Sequence, residues 1–462
     1  MILRDSKLYL KGGIFVVGGN GREQWNSRLG FILATVGSAV GLGNIWRFPT
    51  VVALNGGGAF VLLYLMIVLI IGVPVIIAEL TLGRKSQRNI VSTFIKLAPG
   101  KNWWIVGVIG LAAVFIILSF YSVIAGWAGI YFFASALGFF SGQDTEGLTE
   151  IHNFIVSHPV LPIAGQGIFL AVTVAIVVIG ITRGIERFSK IMMPGIAIIL
   201  FILLGRTMLL EGALEGVIWF LRPNLSLITV NTALDAIGQV FFSLSLGMGA
   251  ILTYGSYLSS KENIPQSAFL ISFVDVAIAL LAGLIVIPAL FVFNIQPEVG
   301  PGIIFITLPA IFNTIPGSII WSSLFFLMLS FAALTSAVSL LEVVVAYLID
   351  ERKWSRPAAA ITLGVLNFFL GVPSALSQGI LAETLILGRT FFDFMDFTSS
   401  NILLPLGGLF TVIFLGWIWG TDKALNEINR GPHRFMWAKP WSFLIRFVIP
   451  VAISYIFITG IL

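Results

Sequence analysis

Apolar runs of about 20 residues recur along almost the whole chain, separated by short clusters of charge, glycine and proline. That is the length an α-helix needs to cross about 30 Å of hydrocarbon. The pattern predicts an all-α integral membrane protein with eleven spans, at 28–54, 58–83, 104–138, 164–181, 186–210, 231–258, 267–293, 317–349, 357–371, 396–420 and 443–461. Two of these are interrupted near their middles. In the first the break is Gly37-Ser38-Ala39-Val40-Gly41-Leu42-Gly43-Asn44, and in the sixth it is Phe242-Ser243-Leu244-Ser245-Leu246-Gly247-Met248-Gly249. Glycine-rich interruptions at matching places in two halves of a chain are the sign of inverted repeats. Spans one to five and six to ten then share a fold in opposite orientation, with the eleventh span as an accessory. The corresponding division is a tail at 1–21, a first repeat at 22–211, a second at 212–421, and a loop with the last span at 422–462.

Unwound backbone at membrane depth leaves N–H and C=O groups without partners, which is tolerated only where a cavity or a ligand satisfies them. A half-helix N-terminus offers free N–H groups and a positive dipole end to a carboxylate. Freed carbonyls at the opposite half-helix end suit a sodium ion or an ammonium group. Two such breaks together fit a zwitterion bound with a cation. The alternative is that the same glycines only let helices pack closely, since small residues are enriched at transmembrane interfaces.

Composition agrees with the membrane reading: 58% of the 462 residues are hydrophobic and 10% charged. Of the 26 lysines and arginines, only Arg47, Arg206, Arg222 and Arg389 fall outside the N-terminal tail, the connections that share its side and the helix ends adjoining them. Basic residues stay on the cytoplasmic side, so the N-terminus is expected to be cytoplasmic and the location a plasma (inner) membrane. The net charge of +5 follows from this bias and gives no reason to expect nucleic acid as a partner. There is no cysteine, and His152, His158 and His433 are too scattered for a metal site of ordinary spacing.

The segments "REQWNSRLGFILATVGSAVGLGNIWRFP", "NGGGAF", "GQVFFSLSLGMGAILTYGSY", "FAALTS" and "FMDF" occur in order from Arg22 onward. They resemble the neurotransmitter:sodium symporters, bacterial amino-acid branch. The resemblance implies a LeuT-type fold of five-plus-five inverted repeats with broken helices 1 and 6, alternating access, and amino-acid uptake driven by sodium. It implies two sodium sites. The first is formed by the Ala39 carbonyl, Asn44, Ser243, Asp275 and the substrate carboxylate. The second lies between spans one and eight, formed by the carbonyls of Gly37, Val40 and Ala332 and the hydroxyls of Thr335 and Ser336. The substrate carboxylate would meet the amides of Leu42 and Gly43 and the Tyr121 hydroxyl, and its amino group the Phe242 carbonyl and Ser245. Ile117, Phe242, Met248, Ser336 and Leu340 would line an apolar remainder, favouring a neutral hydrophobic L-amino acid. Read without the resemblance, Tyr121 is an ordinary core aromatic.

Two positions depart from common patterns of the family. Ser243 stands where many members have threonine, which keeps the hydroxyl. Asp275 stands where chloride-requiring members have asparagine. Two sodium ions and a net-neutral zwitterion in a low-dielectric site call for a compensating anion, and Asp275 supplies one, so transport is expected to be independent of chloride. The other reading of Asp275 is a structural carboxylate facing a wet crevice. Gly41 occupies the place of the aspartate of monoamine carriers, which argues against monoamines.

The resemblance also implies gates. Arg47 and Asp396 would pair on the outside above a lid of Tyr121 and Phe242. Arg22 and Asp350 would pair on the inside, supported by Ser256 and Tyr257, with Trp25 as a plug. Taken alone, Arg22 and Asp350 read as interfacial charges. In the fifth span Gly184 and Pro194 either mark a loop and a kink or a hinge that unwinds toward the second sodium.

An enzyme is not expected: no span carries a Ser/His/Asp set, an HExxH motif or paired intramembrane carboxylates. A channel would need a continuous polar pore, whereas the two breaks converge on one midplane site. A monomer or loose dimer in the lipid bilayer is the expected assembly.

Overall fold

The computed structural model describes residues 7–11, 14–18, 23–293, 302–430 and 434–461. Among the described residues, nine helices are long and apolar enough to cross a membrane: Gly58–Ser86, Trp104–Ala136, Leu161–Ile179, Ile181–Met208, Ile264–Val292, Ser318–Arg352, Arg356–Leu376, Phe391–Ile428 and Ala438–Gly460. The pair Arg28–Ala39 and Gly43–Leu54, bent by 56° at its break, makes a tenth. The expected sixth span is split into Val230–Ser243 and Ala250–Gly255. Each piece is too short to cross alone, so ten spans meet the length against the eleven expected.

Local sequence sets where these helices start. Ser27, Asn89, Asn263 and Ser355 each accept an N–H from the first turn of the helix that follows, and Thr229 with Thr232 forms a reciprocal capping box. Proline at the second helical position of Ile264–Val292 and Arg356–Leu376 is compatible with the free first turn. Gly212, at φ 87° and ψ −4°, is left-handed and precedes the helix Ala213–Leu221.

The centre of the protein is the contact between Trp104–Ala136 and Ser318–Arg352, the most extensive in the fold. In Ser318–Arg352, 72% of the most apolar stretch is buried within the protein, against 17% in Ala438–Gly460. The last span is therefore peripheral and mostly faces lipid. One departure from the all-helical reading is an antiparallel hairpin in the tail, Lys7–Lys11 paired with Ile14–Gly18. The alternating residues of "KLYLK" were a strand signal that a search for long apolar runs passes over.

The 139–163 connection contains a helix, Thr145–Ser157. Its His152 Nδ1 is hydrogen-bonded with the Tyr131 hydroxyl at 2.8 Å, and its ring stacks on Phe305 with centroids 5.9 Å apart. Burial pushes the His152 imidazole down to about 4 from its ordinary value of 6.5. A base held neutral in the fold is protonated more readily when the helix undocks, so docking is at full strength above pH 6.5 and weakens as pH falls toward 4. We expect an acid-dependent loss on the order of 2 kcal/mol in the docking of this helix. Amide hydrogen exchange of residues 145–157 at pH 7.5 and 4.5 checks this, after correction for intrinsic rates. His152→Phe should flatten the dependence; an unchanged dependence in that variant would refute it.

Candidate functional site

At the first break the helix stops at Ala39, Val40 turns to φ −72° and ψ 107°, and a widened turn resumes at Gly43–Arg47. At the second break Ser245, Gly247 and Gly249 take φ of 53°, 78° and 78°. The two unwound segments face one another. Ser245 Oγ donates to the Ser38 carbonyl at 2.9 Å, and Gln239 Nε2 donates to the Gly43 carbonyl at 2.9 Å.

Between them lies a narrow cavity lined by Ser38, Ala39, Gly41, Leu42, Gly43, Ile117, Tyr121, Phe242, Ser245, Met248, Ser336 and Leu340. All the residues expected to hold the substrate are here except Ser243. The Leu42 amide points at the Tyr121 hydroxyl, 3.4 Å away. A Cβ on Gly41 would sit 2.5 Å from Ser336 Oγ and 2.9 Å from Tyr121 Oη, so only glycine leaves this corner open.

Ser243 turns away from the cavity into a buried polar cluster. Asn44 Nδ2 donates to Asp275 Oδ1 at 2.8 Å and to Ser243 Oγ at 3.1 Å, and Ser243 Oγ donates to Asp275 Oδ2 at 2.7 Å. Tyr64 Oη lies 3.5 Å from Ser243 Oγ. All three residues are buried, and no lysine or arginine pairs with Asp275 among the described residues. An ionised carboxylate so placed needs a cation, and the surrounding amide and hydroxyl oxygens are hard donors that suit sodium.

A second oxygen-rich place joins spans one and eight. Ser336 Oγ donates to the carbonyls of Val40 at 3.1 Å and Gly37 at 3.3 Å, and Thr335 Oγ1 donates to the Ala332 carbonyl at 2.9 Å. A Cβ on Gly37 would lie 3.2 Å from Thr335 Cβ, so glycine permits this approach. All five residues expected at the second sodium are thus brought together.

The outer gate pair is arranged differently from the expectation. Arg47 does not form a direct ion pair with Asp396 among the described residues. Its guanidinium lies 4.8 Å from the Phe242 ring centroid, and Asp396 and Asp235 both act on it through space. Asp396 instead accepts from Ser400 Oγ at 2.9 Å. The separation has a structural reason: a cavity opens above Phe242, lined by Arg47, Asp235, Asn401 and, from the last span, Ile453, Ile456 and Thr459.

On the inner side Trp25 Nε1 donates to the Tyr254 carbonyl at 3.0 Å and its backbone N–H to the Tyr257 carbonyl at 3.2 Å. Ser256 is buried and donates to the Thr253 carbonyl at 2.5 Å. Asp350 accepts from the Asn89 backbone N–H at 2.8 Å, while Arg22 lies outside the described residues. Gly184 and Pro194 lie in continuous helix, Ile181–Met208. The break between spans four and five falls instead at Gly180, φ 105°, so no unwinding occurs between Gly184 and Pro194 here.

Residues that sequence reasoning missed complete the site. Glu79 is buried and accepts the Gly247 N–H at 2.8 Å, fixing the second break from the second span. Its signal was a lone acid within "VPVIIAELTL". Glu342 is buried in span eight, accepts from Tyr257 Oη at 2.7 Å and pairs with Arg356 at 2.6 Å, and Arg356 also reaches Glu23 at 3.3 Å.

Residues 22–141 and 163–462 match the sodium:neurotransmitter symporter family. YhdH of Bacillus subtilis (strain 168), an uncharacterized sodium-dependent transporter, is 40% identical over 438 residues, 94% of this chain and 97% of its own length. An uncharacterized sodium-dependent transporter of Haemophilus influenzae is 35% identical over 452 residues, 95% of this chain and 98% of its own. The crystal structure of MhsT in complex with L-phenylalanine superposes with a TM-score of 0.88 at 46% identity, covering 95% of this chain and 100% of that one. With its two broken helices, LeuT-like architecture and membrane-spanning body, the chain belongs to the sodium:neurotransmitter symporter family, as a multi-pass membrane symporter and not an enzyme.

Proposed function

We propose that this protein imports neutral, hydrophobic L-amino acids together with two sodium ions, without chloride, by alternating access. The observation that carries this reading is the cavity between the two breaks, lined by Leu42, Gly43 and Tyr121, with the Leu42 amide donating to the Tyr121 hydroxyl, and by the apolar side chains of Ile117, Phe242, Met248 and Leu340. The amides and the phenol suit a carboxylate, the Phe242 carbonyl and Ser245 suit an ammonium, and the apolar lining suits a side chain without charge. Met248 is flexible and flanked by two left-handed glycines, which fits a pocket that adapts from leucine to an aromatic ring. The complex of MhsT with L-phenylalanine supports the same class of cargo.

In this reading Asn44, Ser243, Asp275 and the Ala39 carbonyl hold one sodium against the substrate carboxylate. Gly37, Val40, Ala332, Thr335 and Ser336 hold the other. Tyr121 and Phe242 close over the substrate, and Arg47 approaches Asp396 as the outer vestibule closes. The inner contacts of Trp25, and the helix between Gly184 and Pro194, give way on release. The repeats at 22–211 and 212–421 move about the site, the N-terminus is cytoplasmic, and the protein works as a monomer or loose dimer in the inner membrane.

Uptake of radiolabelled leucine, phenylalanine and tryptophan into proteoliposomes tests this. Replacing external sodium by potassium should abolish accumulation, and replacing chloride by gluconate should leave it intact. Sodium-independent accumulation would refute the ion assignment, and uptake of monoamines in preference to amino acids would refute the cargo.

A further inference from the structure

The connection between the last two spans carries charge that neither the site nor the gates use. From Asn429 to Arg446 the chain has Arg430, Arg434, Lys439 and Arg446 and no acidic residue. The nearest acid along the chain, Glu427, is 1% exposed and already engaged by Arg84 at 3.1 Å, Lys85 at 3.5 Å and Arg430 at 3.3 Å. Arg434 and Lys439 are exposed, and neither forms an ion pair or hydrogen bond among the described residues.

Beside these two cations Met436 is 87% and Trp437 is 68% exposed, an unusual display of apolar surface in a connecting segment. The display is held in place. The Phe435 N–H donates to Asn429 Oδ1 at 2.9 Å, the Phe435 ring packs edge-on against Trp441, and buried Trp441 Nε1 donates to the Pro74 carbonyl of the second span at 3.1 Å. Water is a poor environment for so large an anchored apolar surface, whereas the interfacial zone of a bilayer accommodates tryptophan. Basic side chains next to a span attract anionic headgroups, and a guanidinium matches a phosphate with two parallel hydrogen bonds.

We propose that this connection binds an anionic phospholipid, with Arg434 and Lys439 on its headgroup phosphate and Met436 and Trp437 among its acyl chains. Charge complementarity selects this occupant: Arg434 and Lys439 are exposed cations with no acid between Asn429 and Arg446, beside exposed Met436 and Trp437 at the end of a membrane helix. Through Trp441 and Pro74 the occupied segment bears on the second span, whose Glu79 holds the second break. Binding itself is independent of which amino acid is carried.

Native mass spectrometry of the purified full-length protein, with phosphatidylglycerol and phosphatidylcholine as separate probes, reads the binding directly. The protein should retain phosphatidylglycerol in preference. Arg434→Gln with Lys439→Gln should lower that retention about ten- to thirtyfold and leave phosphatidylcholine unchanged. Met436→Ser with Trp437→Ser should lower retention of both lipids. Lys101→Gln with Lys261→Gln, the same charge change at two other exposed positions, should have little effect. Equal retention of the two lipids, equal loss in the Lys101/Lys261 variant, or displacement by inorganic phosphate would each overturn the assignment.

Discussion

Replacing Asp275 by asparagine is expected to lower sodium-dependent uptake in chloride-free medium by at least a hundredfold. The carboxylate is buried, hydrogen-bonded by Asn44 and Ser243, and has no basic partner among the described residues. Asparagine keeps the shape and one oxygen and removes the charge. At an effective dielectric of about 20 and a separation of roughly 4 Å, losing one charge opposite a sodium ion removes about 4 kcal/mol of attraction. Part of that is returned because an amide is less costly to bury, and the remainder still exceeds two decades in affinity. Because the substrate carboxylate is proposed to share this ion, amino-acid affinity should fall together with sodium affinity. Scintillation-proximity binding of labelled leucine across a sodium titration, with chloride or gluconate as counter-ion, measures both. A variant that binds both within tenfold of the wild-type protein in gluconate would show that Asp275 does not supply the compensating charge.

The grouping of this trio came through the resemblance; of the three only Asp275 carries a signal of its own, an acid in an apolar span, while Asn44 and Ser243 stand inside the glycine-dense breaks. The breaks themselves were legible, since glycine density reports backbone freedom directly. Contacts between distant segments were harder to read. Glu79 stands in an ordinary apolar run, and its partner is a backbone amide exposed only by a break elsewhere in the chain. Asp235 and the residues of the last span enter the vestibule through tertiary packing, which periodicity does not encode. Arg47 and Asp396 were paired through the resemblance alone, and whether they touch depends on how far the vestibule is open. The helix at Thr145–Ser157 was passed over because it is too short and too polar to register as a span.

Gly247→Ala is expected to remove substrate binding and transport almost completely while leaving the protein in the membrane. Gly247 has φ 78°, and a Cβ there would lie 2.5 Å from the Leu404 carbonyl oxygen and 2.7 Å from the Gly408 nitrogen. Both are backbone atoms of the tenth span, so no change of rotamer relieves the overlap. A left-handed alanine costs about 1–2 kcal/mol, and overpacking adds about 1–3 kcal/mol, enough to depopulate this form of the break by thirtyfold or more. Its amide would then no longer meet Glu79, which loses its hydrogen bond inside the membrane. Gly249→Ala provides the contrast. The three atoms nearest its Cβ would all belong to the Ile90 side chain, Cδ1 at 2.1 Å, so trimming the neighbour in the double variant with Ile90→Ala should recover part of the binding. Gly129→Ala, where no atom lies within 4 Å of the added carbon, should be neutral. Leucine binding to the purified variants, compared with their elution by gel filtration, separates a lost site from a lost fold. If Gly247→Ala bound leucine with near wild-type affinity, the left-handed turn at Gly247 could not be the geometry that builds the pocket.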